Sequence, residues 1–221
     1  MRILFSLLLL LPLYAFPQLN FKKMTISAGG GIAIPHTDIT EFNVEPVFNG
    51  GFHYNITPFA ALGLDAEVGK LSGNYHDMHT FGNKLVAAAV DGRLQMGQFT
   101  GLNPTGFSAV LSRLYVGAGI GMIHSNAESG PPDAMEEELR KYKGTDIIAP
   151  VFAGANIPLM KELDLEILSL FINYRLNISF TDELDALASS GSTANDYFST
   201  LSVGIRFNFG PKGPYFFGNY R

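Results

Sequence analysis

Seven residues carry the groups most able to hold charge or move protons in an otherwise charge-poor chain: His53, Asp65, Glu67, Asp91, Arg93, Arg175 and Arg206. Each falls on the small, polar side of an alternating pattern. Phe48, Phe52 and Tyr54 oppose Asn49, Gly51 and His53. Leu62, Leu64, Ala66 and Val68 oppose Gly63, Asp65, Glu67 and Gly69. Val86, Ala88, Val90 and Leu94 oppose Asp91, Arg93 and Gln95. A period of two means that successive side chains point to opposite faces of a strand, so the ionisable set shares one face of its strands. Three acids meet three bases, a set that neutralises itself if the fold brings its members together. Arg93 is expected to pair with Asp65 or Glu67 across a hairpin, because facing residues of antiparallel strands lie within ionic reach. Asp91 is the shared partner expected for Arg175 and Arg206. His53 joins the network; as a lone histidine it makes a poor metal site, and no metal or other cofactor is expected.

The elements that must position these groups are long strands. In the segment from Asp196 to Phe209, Leu201, Val203, Ile205, Phe207 and Phe209 take one face, and Ser202, Gly204, Arg206 and Asn208 the other. Leu165 to Phe180 repeats the pattern, with Arg175 among Ser169, Asn173, Asn177 and Ser179. Weaker alternation marks Met24–Ile34, Val47–Ile56, Phe59–Lys70, Lys84–Phe99, Arg113–His124 and Ile147–Ile157, with Pro150 near the start of the last. That makes about eight strands, each long enough for a tilted membrane crossing of about 9–11 residues. The connections alternate too. Residues 57–58, 100–112 and 158–164 form short or moderate turns, and 35–46, 71–83, 125–146 and 181–195 form longer polar loops. Short turns at one end and long loops at the other suit a closed antiparallel transmembrane β-barrel with periplasmic turns and outer loops. Both chain termini then lie on the periplasmic side. Two loops carry helix signals: a capping box at Asp133 and Glu136, ahead of a charged run to Lys143, and Asp182 with Gly191 as a stop.

Composition points the same way. Only 16% of residues are charged while 47% are hydrophobic, against about 25% charged in soluble domains. There is no cysteine, so no disulfide and no thiolate metal site. The net charge of −5 and the lack of a basic stripe exclude a nucleic-acid partner. Arg2 followed by an apolar run reads as a secretory signal peptide over residues 1–17, too short for a membrane helix. The barrel is expected over 24–210, followed by a tail, 211–221. A soluble barrel would also alternate, but its outward face would be rich in Lys, Glu and Arg. Here the second face is Gly, Ser, Asn and Ala, which suits a narrow lumen packed with side chains. Within it the charged set reads as a plug rather than a gate or proton path.

The leader, the strand pattern and the ending Leu201-Ser202-Val203-Gly204-Ile205-Arg206-Phe207-Asn208-Phe209 resemble the small outer-membrane β-barrel proteins of the Bacteroidota. The architecture is similar to the transmembrane domain of the outer membrane protein A family. The chain departs from that pattern in its tail, in the absence of a following peptidoglycan-binding domain and in having no tryptophan. Aromatic girdles would use Phe207, Phe209, Tyr54 and Phe59 at the periplasmic rim and Phe180, Tyr197 and Phe48 at the outer rim. The resemblance implies a non-enzymatic protein of the cell outer membrane, with a structural or surface-binding role through its outer loops. Its implied partners are outer-membrane lipid including lipopolysaccharide, the barrel-insertion machinery, and an extracellular ligand or protein. The alternatives are a small porin-like channel and a lipid A-modifying enzyme. For the enzyme, His124-Ser125-Asn126 is similar to the His-x-Ser-Asn signature of the barrel-shaped lipid A deacylases, with the spacer missing. Neighbouring strand residues face opposite ways, which places His124 and Ser125 badly as base and nucleophile. His76, Asp77 and His79 read as a solvated loop before they read as a metal site.

Overall fold

The computed structural model describes residues 18–36, 41–75, 79–100, 104–131, 140–162, 165–180 and 196–216. Eight long strands account for nearly all of them: β1 Gln18–His36, β2 Glu41–Asn43 continued by Glu45–Asn55, β3 Ala60–Tyr75, β4 His79–Gln95, β5 Leu114–Gly130, β6 Arg140–Glu162, β7 Leu165–Ser179 and β8 Tyr197–Phe216. Each pairs antiparallel with its sequence neighbour, and β8 returns to pair with β1. The sheet is a closed ring, so it has no edge strand, and every strand's backbone groups have a neighbour on both sides.

The alternation is inside-out relative to a soluble protein. Phe48 is 64% exposed on the outer surface, Leu64 59% and Ile120 63%. The same surface carries Ile26, Leu62, Val86, Val90, Val116, Met122, Val151, Ile172, Leu201, Val203 and Ile205. Inward positions are buried and mostly small or polar: Thr25, His53, Glu67, Asp91, Ser125, Asn173, Asn177 and Ser202. Apolar-out and polar-in is the arrangement of membrane barrels.

Several strand boundaries differ from expectation, each for a local reason. β3 and β4 run on to Tyr75 and from His79, so most of the loop expected over 71–83 is sheet. β5 and β6 likewise extend to Gly130 and from Arg140. Pro150 does not start β6 but sits in its middle, opposite Asn177 of β7. Its missing N–H leaves a gap in the ladder to β5 between Ala118 and Gly121, without a change of register. β1 begins at Gln18, and β8 continues past Gly210 to Phe216, where it pairs with Gln18. Gly210-Pro211 reads as a turn signal, but the chain uses the positive φ of Gly210 (83°) where the register shifts by one residue against β1, the role glycine takes in a bulge.

One end of the barrel holds both ends of the described chain and the tight connections. Thr57 closes the turn from β2 to β3 by accepting the backbone N–H groups of Phe59 (3.1 Å) and Ala60 (2.8 Å). The longer link from β4 to β5 is not a plain turn. It folds into two short helices, α1 Gly97–Thr100 and α2 Phe107–Leu111, which leave Phe99, Phe107 and Val110 exposed at that end. The helix signals at 133–141 and 182–190 fall outside the described residues, apart from Arg140 and Lys141, which belong to β6.

Candidate functional site

The lumen is filled in layers. At the end away from the tight turns, Val47, Leu71, Phe81, Leu85, Ile123, Ile148 and Phe198 form a dry apolar cluster. Phe198 and Ile123 are completely buried there. This layer was not anticipated. Its signal lay in the places where alternation fails, Leu85-Val86, Met122-Ile123 and Ile147-Ile148, because both faces of the strand are apolar there.

Below it, four of the expected charged residues meet. His53 Nε2 lies 3.1 Å from Asp91 Oδ1 and 3.7 Å from Asp65 Oδ1. Arg175 donates through Nη2 to Asp65 Oδ2, and the same nitrogen lies 3.7 Å from Asp91 Oδ2. Each carboxylate thus shows one oxygen to the imidazole and the other to the guanidinium. Glycines make the approach possible. His53 of β2, Gly63 of β3 and Asp91 of β4 occupy one register row. A Cβ on Gly63 would stand 2.4 Å from the imidazole ring, so the ring reaches Asp91 across a position that only glycine leaves open. Gly51, opposite Asp65, gives the carboxylate the same freedom. His53, Asp65 and Asp91 offer ligand atoms within 4.8 Å of one another, a spacing open to a metal ion, but Arg175 already brings a positive charge to both carboxylates. Glu67 sits further along β3 and meets no cation among the described residues. It accepts hydrogen bonds from Thr200 Oγ1 (3.3 Å) and Asn177 Nδ2 (3.5 Å).

The pairing expected for Arg93 does not occur. Arg93 stands opposite Ala61, whereas Asp65 stands opposite Ala89. Period two put the acids and Arg93 on the same face, but the register of the hairpin keeps Asp65 four positions and Glu67 six positions from it. Arg93 instead lies over the ring of Tyr115, 5.6 Å from its centroid. Arg206 also finds no carboxylate among the described residues. Its guanidinium lies between the rings of Tyr115 (4.6 Å) and Phe171 (4.7 Å), and it donates to Asn156 Oδ1 and to the Tyr115 hydroxyl (3.1 Å). The shared role expected of Asp91 therefore holds for Arg175 and not for Arg206. Tyr115, Asn156 and Phe171 are the members of this layer that the charges alone did not single out. The aromatic ones, with Phe152, were legible as large inward residues among glycines: Tyr115 leans over Gly154, Phe152 over Gly117 and Phe171 over Gly204, each across its own register pair. The arginines border a vestibule of about 190 Å3 facing the tight turns.

The remaining candidates do not assemble. His124 is on the outer surface, where Nδ1 lies 2.9 Å from Thr145 Oγ1. Ser125 is fully buried on the lumen side. The strand wall separates them. His76 and Asp77 lie outside the described residues, as does the side chain of His79. The aromatic residues at the turn end stay together: Phe207 stacks on Phe209 at 6.0 Å, and Phe52 meets Phe209 edge-on at 6.4 Å.

No protein-family model matches the sequence. No curated protein matches it either. Among solved structures, the chain is similar to Ail, the attachment invasion locus protein of Yersinia pestis, in complex with the heparin analogue sucrose octasulfate: 11% identity, 83% of this chain and 97% of that one, TM-score 0.47. It is also similar to Neisserial surface protein A, with 13% identity over 85% and 97% of the two chains and a TM-score of 0.47. The N-terminal β-barrel domain of Pseudomonas aeruginosa OprF aligns at 12% identity over 84% of this chain and 98% of that one, with a TM-score of 0.39.

Proposed function

We propose that the chain is a non-enzymatic integral protein of the outer membrane, whose barrel spans the lipid and whose far end presents a binding surface outside it. One observation carries this reading: the outward face of a closed, edge-free barrel is apolar around its circumference, while the inward face carries the polar and charged groups. In water, an exposed apolar surface of that extent would drive association; in lipid it is the favourable solvent-facing surface. The apolar belt stops within one row of the same level on four neighbouring strands. Above Val68 and Val86 the outward residues become Lys70 and Lys84; above Met122 and Ile147, one row lower, they become His124 and Thr145, then Asn126 and Lys143. The strands continue beyond that line, and their polar walls and loops are the surface offered to an extracellular ligand or protein. The turn end, with both termini, then faces the periplasm. A secretory leader over 1–17 and the insertion machinery would deliver the chain there, with outer-membrane lipid, including lipopolysaccharide, around the belt.

Against a channel stands the apolar layer across the lumen, and against a lipid A-modifying enzyme the separation of His124 from Ser125. The test uses cell fractionation and single cysteines in a chain that has none of its own. The protein is expected in the outer-membrane fraction. Glu128→Cys is expected to react with an impermeant thiol reagent on intact cells, and Lys161→Cys only after permeabilisation. A soluble periplasmic protein, or the reverse labelling pattern, would refute the proposal.

A further inference from the structure

We propose that the turn-side vestibule is a binding site for a small oxyanion of the phosphate class, held between Arg93 and Arg206. Both guanidiniums lie over the one ring of Tyr115, and neither forms an ion pair with a carboxylate among the described residues. An aromatic quadrupole attracts a cation but does not neutralise it, so two like charges share this space uncompensated. Their donors are also unfilled. Arg206 is only 8% exposed, yet its Nε has no hydrogen-bond partner, and Arg93 Nη1 is buried with none. Buried donors without acceptors are rare, and a missing ion or water commonly accounts for them.

The vestibule supplies the room. Its volume of about 190 Å3 is bordered by both arginines, by Lys22 and Lys161 and, among the described residues, by one carboxylate, Glu166. A void of about 20 Å3 beyond the arginines is closed by Asp65, whose carboxylate already serves Arg175. The unfilled Arg93 Nη1 and Arg206 Nε are thus left to an acceptor that enters the vestibule. The planar fork of a guanidinium matches two oxygens of a tetrahedral oxyanion at once, a fit that a spherical halide cannot use. The apolar layer seals the other end, so the anion enters from the side of the tight turns.

The chain folded in non-ionic detergent is titrated with inorganic phosphate against sodium chloride at constant ionic strength. Thermal unfolding and the phosphorus resonance line width are followed together. The expected result is a dose-dependent rise in unfolding temperature with broadening of the phosphate signal. Arg93→Gln should weaken the apparent affinity by about tenfold or more, since it removes one charged fork. Val90→Ala, on the outward apolar face away from the vestibule, should bind as the native chain does. Should Arg93→Gln fail to fold, Arg93→Lys keeps the charge but loses the fork and should still bind more weakly. An equal response to phosphate and chloride, or equal phosphate binding by the native chain and the Arg93 variant, overturns the proposal. A parallel arm uses nanodiscs of phosphatidylglycerol or phosphatidylcholine in buffer free of inorganic phosphate. Stabilisation by phosphatidylglycerol with none from inorganic phosphate would assign the arginines to a lipid headgroup and refute the soluble anion.

Discussion

The two ends of the lumen solve the same packing problem with different chemistry. The end away from the tight turns is closed by Leu71, Phe81, Ile123, Ile148 and Phe198, an apolar cluster like the core of a soluble protein. The turn-side end is filled by arginines, a tyrosine and amides around a cavity. Between them, Asp65, Asp91, His53 and Arg175 form, among the described residues, the one place where opposite charges meet at contact distance inside the barrel. Tightness therefore comes from apolar packing at one end and ion pairing in the middle, and the turn-side end is left partly open. The difference shows that a charged lumen is not by itself a plugged one; what decides is whether each charge has a partner.

The substitution that presses hardest on this contrast is Arg175→Ala. It leaves two buried carboxylates with only His53 to face them, and breaking a buried ionic contact from one side typically costs about 3–5 kcal/mol. The unfolding midpoint in detergent should fall accordingly, and replacing Asp65 by Asn in the same chain should recover part of the loss. A small effect would mean that water already screens the quartet. Next comes Leu71→Ala in the dry layer. Cavity formation at a fully buried leucine costs about 2–5 kcal/mol, and the change should raise ion leakage across planar bilayers. Stability loss without leakage would move the seal elsewhere. Arg93→Ala is expected to cost far less, about 0.5–2 kcal/mol for the lost stacking on Tyr115. A penalty as large as that of Arg175→Ala would show that Arg93 has a charged partner after all. His124→Ala, which touches only Thr145 on the outer surface, should stay within about 0.5 kcal/mol and leave lipid A unmodified relative to the native chain.

These expected magnitudes invert the simplest inference from the sequence, and the reason is instructive. Period two assigns a residue to a face without knowing its neighbours, so the inward side of Asp65, Asp91, Arg93, Arg175 and Arg206 was readable from local alternation. Which of them touch depends on register, and register depends on turn geometry that local alternation does not encode. Arg93 missed both acids for that reason. The ring of eight strands was legible in the long segments around Leu201–Phe209 and Leu168–Phe180. The ends of strands were less so, since Gly210-Pro211 and Pro150 carry turn signals that the barrel absorbs as a bulge and as a gap in the ladder. The dry layer was hidden by a habit of reading. Leu71 and Phe81 looked like loop residues because the membrane-spanning length had already been used up, whereas the strands extend past the belt.

The central claim is that lipid bathes the alternating apolar face and the other face is shut inside. Its most direct measurement uses single cysteines at Leu64 on the outer surface and Ala89 on the lumen side, labelled with an environment-sensitive fluorophore in nanodiscs. Brominated acyl chains quench only what they touch. The fluorophore at position 64 should be strongly quenched and the one at position 89 should not. Equal quenching at the two positions, or quenching at 89 alone, would contradict the inside-out barrel.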